Sequence, residues 1–347
     1  MSHLVTRSFT VRFTTPAFLG NAEQRGQWRT PPFKALLRQW WRIAVAKTCN
    51  YDFTALRRRE DALFGTVEGR AHKSMIRMRL SGWDAGKATP ANWPLDKTTL
   101  HPEVSRPVGA HLYLGYGPLT FSKGKGTTLK KEAAIQADEE AKLSLAFPEE
   151  HAESVNLTLW LIHQYGTVGG RSRNGWGSLV ITPVDGIPLY PAEPGTQFLR
   201  DWHDALALDW AHAVGTNDGE PLVWRTADGP DWEAVMTELA KLKIGLRTQF
   251  KFHSGKGARG PEPRHWLSYP VTNHNVTPWD RTHARLPNSL RFKVRRSQNG
   301  NVFGVIFHIP CLPPPSFHPE RRAIEAVWTQ VHAFLEDPAQ ELMRLPT

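Results

Sequence analysis

The sequence predicts an α+β protein of two consecutive domains. Runs with apolar residues at every second position are interleaved with amphipathic runs of helical period. A Pro- and Gly-containing connection falls near the middle of the chain, and 347 residues exceed one small domain. The 14 Trp and 16 Phe supply bulk for two cores and exclude disorder as the main state.

In chain order, Leu4, Phe9, Val11 and Phe13 predict a strand over 4–13. Pro31 and Pro32 stand where a helix start accepts proline. Beyond them, Phe33 to Lys47 places Leu37, Trp41, Ala44 and Val45 at helical spacing beside Leu36, Trp40 and Ile43. Thr54 is positioned to cap a short helix closed by Leu63-Phe64-Gly65. Ile76, Met78 and Leu80 predict a strand, as do Leu112, Leu114 and Tyr116, around a Pro- and Trp-rich excursion. Leu129 to Leu145 reads as helix by propensity. Val155, Leu157, Leu159 and Leu161 read as a strand, and Ser178 to Thr182 as another after a glycine-rich loop.

The stretch Pro183 to Gly195 divides a domain 1–182 from a domain 183–347. The second is expected to open with two acidic helices, about 196–213 and 231–244, the latter begun by Pro230-Asp231 and closed at Gly245. A polar loop from His253 to Pro287 leads to Leu290, Phe292 and Val294, an Asn299-Gly300 turn of type I′, and Phe303, Val305, Phe307 and Ile309, a β-hairpin. A final helix over Pro319 to Leu335 carries Ile324, Val327, Trp328, Val331, Phe334 and Leu335 on one stripe.

Composition narrows the function. Cys49 and Cys311 are the two cysteines, too few for a disulfide framework or a thiolate zinc site. No window reaches the ~18 apolar residues of a membrane span, and the first residues lack an apolar signal core, so a cytoplasmic protein without membrane contact is expected. HExxH and GxSxG are missing, no GxGxxG opens a helix in the glycine-rich loop, and Gly124-Lys125 is followed by Gly126 rather than the Ser or Thr of a Walker loop. No catalytic residue, metal or cofactor is expected.

The formal charge of +10 is unevenly spread: residues 1–182 carry 25 basic and 15 acidic side chains, residues 183–240 carry 2 and 11, and residues 241–310 carry 13 and 2. Two basic blocks flanking an acidic one predict a polyanion surface assembled from distant parts of the chain. Three clusters are candidates. Arg25, Trp28 and Arg29 lead into Lys34, Arg38 and Arg42, which lie at i, i+4 and i+8 and drift only about 40° per step around a helix. Trp28, outside the helix, is the expected base-stacking residue. The loop Gly169-Gly170-Arg171-Ser172-Arg173-Asn174-Gly175-Trp176-Gly177-Ser178 combines free backbone amides with two guanidiniums. The alternating Arg291, Lys293 and Arg295, with Lys251, His253, Lys256, Arg259, Arg264 and Arg285 of the loop before them, form the third. Solvated helix, loop and sheet faces are the competing readings.

These residues resemble a known family. The opening strand, Thr14-Thr15-Pro16-Ala17-Phe18-Leu19-Gly20 and the Lys34-x3-Arg38-Gln39-Trp40-Trp41-Arg42 run are similar to the N-terminal signature of the first Cmr subunit, in the RAMP superfamily of type III-B CRISPR effector complexes. Leu63-Phe64-Gly65, the glycine-rich loop and Arg285-Leu286-Pro287-Asn288-Ser289-Leu290 match further family segments, whereas Ala35 replaces a Gly and Pro31-Pro32-Phe33 replaces a Pro-Ser-aliphatic start. The resemblance implies two ferredoxin-like, RNA-recognition-type modules fused in one chain. It also implies a non-catalytic subunit that holds guide (CRISPR) RNA near its 3′ end and helps capture single-stranded target RNA, with other Cmr-type RAMP subunits as partners. The alternatives are a metal-independent endoribonuclease acting through His163 or Tyr165, and a purely architectural cap.

Overall fold

The computed structural model describes residues 3–69, 71–131, 133–189, 195–297 and 299–346. Alternating burial, with Phe9, Val11 and Phe13 fully inside, makes β1 (Leu4–Phe13). α1 (Thr30–Val45) carries its proline pair in the first turn, where a missing amide costs no helical hydrogen bond. α2 (Phe53–Phe64) is capped by Asp52, whose carboxylate accepts the Ala55 amide at 3.0 Å, instead of by Thr54. β2 (Arg77–Leu80) follows as expected.

Three predicted elements change type. Residues 110–115 are α3 (Ala110–Gly115) and not a strand: Asp96 accepts the amides of His111 and Leu112 at 2.8 and 3.0 Å, a cap supplied from another loop. The expected helix from Leu129 to Leu145 is instead the end of a hairpin (119–122 with 126–129) and the start of β3 (Glu140–Pro148). There Leu143, Leu145 and Phe147 point into the core and partners on both sides override helical propensity. The leucines 157, 159 and 161 belong to α4 (Ala152–Tyr165), because Val155, Thr158, Ile162 and Tyr165 complete a buried helical face. β4 (Leu179–Pro183) closes the half. The sheet order is β2-β3-β1-β4, antiparallel throughout, with α1 packed against α4.

Tyr190–Pro194, part of the expected connection, lie outside the described residues. The first acidic helix does not form. Leu199–Asp201 is a strand parallel to Val214–Thr216, with only Trp202–Ala205 helical between them, because Phe198, Trp202, Ala205 and Leu206 reach the core from a short turn. After β5 (Val223–Arg225), α5 (Trp232–Thr248) begins at Asp231, which accepts the Ala234 amide at 2.7 Å. It runs past Gly245. A Cβ there would sit 2.8 Å from the Phe334 ring, so this glycine marks close packing and not a helix end. β6 (Leu290–Arg296) and β7 (Val302–His308) are joined by five residues rather than a two-residue turn. α6 (Arg321–Glu336) and β8 (Met343–Arg344) complete a sheet of order β6-β7-β5-β8. Its pairs are antiparallel as well, so both halves trace the same β-α-β-β-α-β path with the same strand order.

The core is split into two clusters whose boundary does not follow the chain. The second draws Ala88, Trp93, Ala110, Leu114 and Trp176 from the first half against α5 and β6.

Candidate nucleic-acid interface

The glycine-rich loop leaves α4 and is pinned before it reaches β4. The Gly175 carbonyl accepts from Thr15 Oγ1 at 2.7 Å and from Ser178 Oγ at 2.8 Å, and the Gly170 amide donates to the Phe18 carbonyl at 3.0 Å. Gly177, at φ +67°, lies so near the Val168 carbonyl oxygen that a Cβ would approach it to 1.9 Å, so no other residue fits. The Asn174 side chain donates to the Leu114 carbonyl at 2.7 Å and accepts from Lys243 Nζ at 2.5 Å. Fixed in this way, Arg171, Ser172, Arg173 and Asn174 line one wall of a groove of about 1600 Å³.

The other walls come from the second half and from the excursion between β2 and β3. Lys243 and Arg247 descend from α5, Lys251 lies just past its end, Arg264 and Arg285 come from the long polar loop, and Tyr113 and Tyr116 from α3 and the turn after it. The lining holds seven Lys and Arg side chains and one carboxylate, Glu103, which pairs with Arg264 at 2.6 Å. Burial lifts the Glu103 carboxyl, but the hydrogen bond and charge of Arg264 outweigh it and hold the group below its usual range. Burial also depresses the Arg173 and Arg247 guanidiniums and holds the Lys243 ammonium well below the ordinary lysine range, helped by Arg247 and Arg171. Flat surfaces accompany the charge. Tyr116 is 68% exposed, and Phe252 stacks on His274 with ring centres 4.0 Å apart.

The structure therefore brings together Arg171, Ser172, Arg173, Asn174 and Arg285, with Gly169, Gly170 and Gly175 as the backbone that presents them. Other expected residues lie elsewhere. Trp28 is buried, parallel to the Phe33 ring at 6.0 Å and beside Phe13 at 5.1 Å, and offers no face to a base. Trp176 is fully buried in the second core cluster. Lys293 is also fully buried, its Nζ donating to the Ile162 and His163 carbonyls at 2.9 and 2.7 Å, where it terminates α4. Alternation placed it on an open face, but β6 is covered on both faces. Arg38 and Arg42 turn their guanidiniums onto the buried Glu60 of α2, Arg42 with two bonds of 2.8 Å. Burial raises the Glu60 carboxyl, and the hydrogen bonds and charges of Arg42 and Arg38 more than reverse it. The helical stripe is thus largely consumed by α2. Lys34 is half-buried, its ammonium lowered by burial and by Arg38, and Arg29 is half-buried at the start of α1. Arg25 is exposed on its loop, and none of these five cations lines the groove.

His163 and Tyr165 also lie outside the groove. His163 bonds the Ile181 carbonyl at 3.0 Å, and burial together with Lys293 lowers it to about 4. Tyr165 packs among Trp40, Trp160 and Phe307, and burial raises it to about 12. Lys251 and Arg264, expected in the third basic cluster, do line the groove, whereas Lys243 and Arg247 are not evident from the sequence. The readable signal was a lysine at a core-facing position of α5 between Leu242 and Ile244.

Residues 10–180 match the family model described as the RAMP superfamily. The N-terminal half of the chain is a RAMP-superfamily domain. Both the Lys34 to Arg42 helix and the glycine-rich loop lie within it. Similar solved structures cover nearly the whole chain. Cmr1 from Pyrococcus furiosus in its apo form is 15% identical over 98% of each chain, with a TM-score of 0.48. A chain of a type III-B Cmr-β structure bound to cognate target RNA is 11% identical over 94% of this chain and 99% of its own, with a TM-score of 0.47. No curated protein matches the sequence. Among the described residues no helix is long and apolar enough to cross a membrane.

Proposed function

We propose that this chain is a non-catalytic RNA-binding subunit of a type III-B, Cmr-type CRISPR effector complex. It holds guide RNA near the guide's 3′ end, helps capture single-stranded target RNA, and works in the cytoplasm beside other RAMP subunits. Its architecture is read as two fused ferredoxin-like modules, 1–182 and 183–347, on the strength of the repeated strand order. The observation that carries the reading is the groove between the RAMP domain and the second half, with seven cations against one carboxylate and exposed or stacked rings at its sides. Cations that follow a phosphate backbone bind regardless of sequence, and base pairing between guide and target then supplies specificity.

The test is binding of the purified chain to guide-length single-stranded RNA over a salt series, with cleavage scored in the same metal-free samples. Binding that falls with salt while the RNA stays intact supports the reading. Site-specific cleavage would replace it with the endoribonuclease, and salt-insensitive or undetectable binding would favour the architectural cap.

A further inference from the structure

We propose that the floor of the groove holds one fixed phosphate subsite, formed by Lys243, Arg247 and Arg171 around the Asn174 side chain. The ligand class rests on the RNA-binding reading; the geometry is independent of it. Lys243 and Arg247 are four residues apart on α5 and share one of its faces. Lys243 is only 9% exposed, and the polar partner of its ammonium is the neutral Asn174 carbonyl oxygen at 2.5 Å. Asn174 is held in that orientation by its bond to the Leu114 carbonyl, so the ammonium is aimed by the glycine-rich loop itself. Arg247 uses one terminal nitrogen on Ser268 Oγ at 2.9 Å, and its buried Nε has no partner among the described residues. Arg171 is close enough to act electrostatically on Lys243, from the exposed side of the loop.

Among the described residues no carboxylate is bonded to any of the three, and the single acid of the groove is engaged by Arg264. Buried cations without a counter-charge are costly. An ammonium with two unused donors and a guanidinium with a free buried edge fit the oxygens of one phosphate group. Exposed cations such as Lys251 and Arg285 supply the diffuse part of the field, whereas this trio defines a position.

The experiment titrates the full chain with inorganic phosphate, a nucleoside 5′-monophosphate and the bare nucleoside by calorimetry, in wild type, Lys243→Met and Arg247→Gln, with thermal unfolding as the check on folding. Saturable binding of both phosphates, absent for the nucleoside and about tenfold weaker in each folded variant, is the expected result. Phosphate that fails to saturate, or that binds the folded Arg247→Gln or Lys243→Met protein as well as wild type, overturns the subsite. If RNA still binds then, the broader reading survives. If phosphate behaves as expected but RNA does not bind, the subsite stands and the RNA reading falls. RNAs of equal length with and without a terminal phosphate identify the source. An advantage of the phosphorylated end that vanishes in Lys243→Met assigns the site to an RNA end, and equal weakening of both assigns it to the backbone.

Discussion

The Phe292 amide donates to the Arg173 carbonyl at 3.0 Å. Phe292 lies on β6, the edge strand of the second sheet, and Arg173 lies in the loop that precedes β4, the edge strand of the first. Two residues further along the strand, the Val294 amide donates to Ser178 Oγ at 2.8 Å. An open edge that would otherwise template foreign strands is closed by the same loop that carries the groove cations. The position of Arg171 to Asn174 is therefore set by both halves of the molecule.

Ser178→Ala tests that junction. The buried hydroxyl accepts from the Val294 amide and donates to the Gly175 carbonyl, and alanine leaves the amide unpaired and the carbonyl with Thr15 Oγ1 alone. Equilibrium unfolding should show a loss of about 1–3 kcal/mol. RNA affinity should fall with it, because the loop loses its anchor.

Charge reversal at the exposed Arg171 and Arg285 should weaken single-stranded RNA binding and flatten its dependence on salt. Losing two phosphate contacts lowers the slope of log K against log salt by about 1.4. A double variant with the wild-type slope would remove these residues from the interface.

Lys293→Met should leave that slope unchanged. Its ammonium is sealed against the end of α4, with burial and the neighbouring Arg295 holding it well below the ordinary lysine range. A methionine of similar length keeps the packing, so stability and not RNA binding is the quantity that moves.

How much of this was legible differs by level. β1, α1, α5, α6 and the β6–β7 hairpin follow from periodicity, although β6 and β7 are buried on both faces. α3 and β3 do not, because Asp96 caps the first from fifteen and sixteen residues upstream of the amides it accepts and the second is fixed by partners distant in sequence. At the site, the glycine-rich loop and Arg285 were readable from composition. Trp28, Trp176 and Lys293 were misread because exposure depends on what covers a side chain: Phe13 and Phe33 cover Trp28, and elements of the other half of the chain cover Trp176 and Lys293. Glu60 is a related case: it and Asp61 are adjacent acids on α2, and nothing in the sequence shows that Glu60 absorbs Arg38 and Arg42.

Removing both guanidiniums, in Arg38→Met with Arg42→Met, should cost about 3–5 kcal/mol by stranding the buried Glu60 carboxylate. Because Glu60 is lowered in the folded protein, its contribution is present above the unfolded value of 4.5 and is lost as pH falls below it. Denaturant midpoints at pH 7 and pH 4 check both statements: the deficit of the double variant should shrink at the lower pH. Its salt slope for RNA should stay close to wild type, since neither arginine lines the groove.

A second pH effect comes from the buried imidazole pair beneath α6. His308 Nδ1 and His332 Nε2 lie 3.0 Å apart, and the other His308 nitrogen meets Ser289 Oγ at 3.0 Å. Burial, with the charges of Arg344 and His203, lowers His332 to about 3, and burial with His332 nearby holds His308 well below its usual value. Unfolded, both rings bind protons near pH 6.5, so between that pH and about 3 the unfolded chain carries more protons and stability falls as pH is lowered. Each ring contributes a slope of up to about 1.4 kcal/mol per pH unit. His332→Gln retains a hydrogen-bonding side chain without the titration, and unfolding free energies measured from pH 7 to pH 4 should decline less steeply by that amount. An unchanged slope would mean that His332 is already protonated in the folded protein.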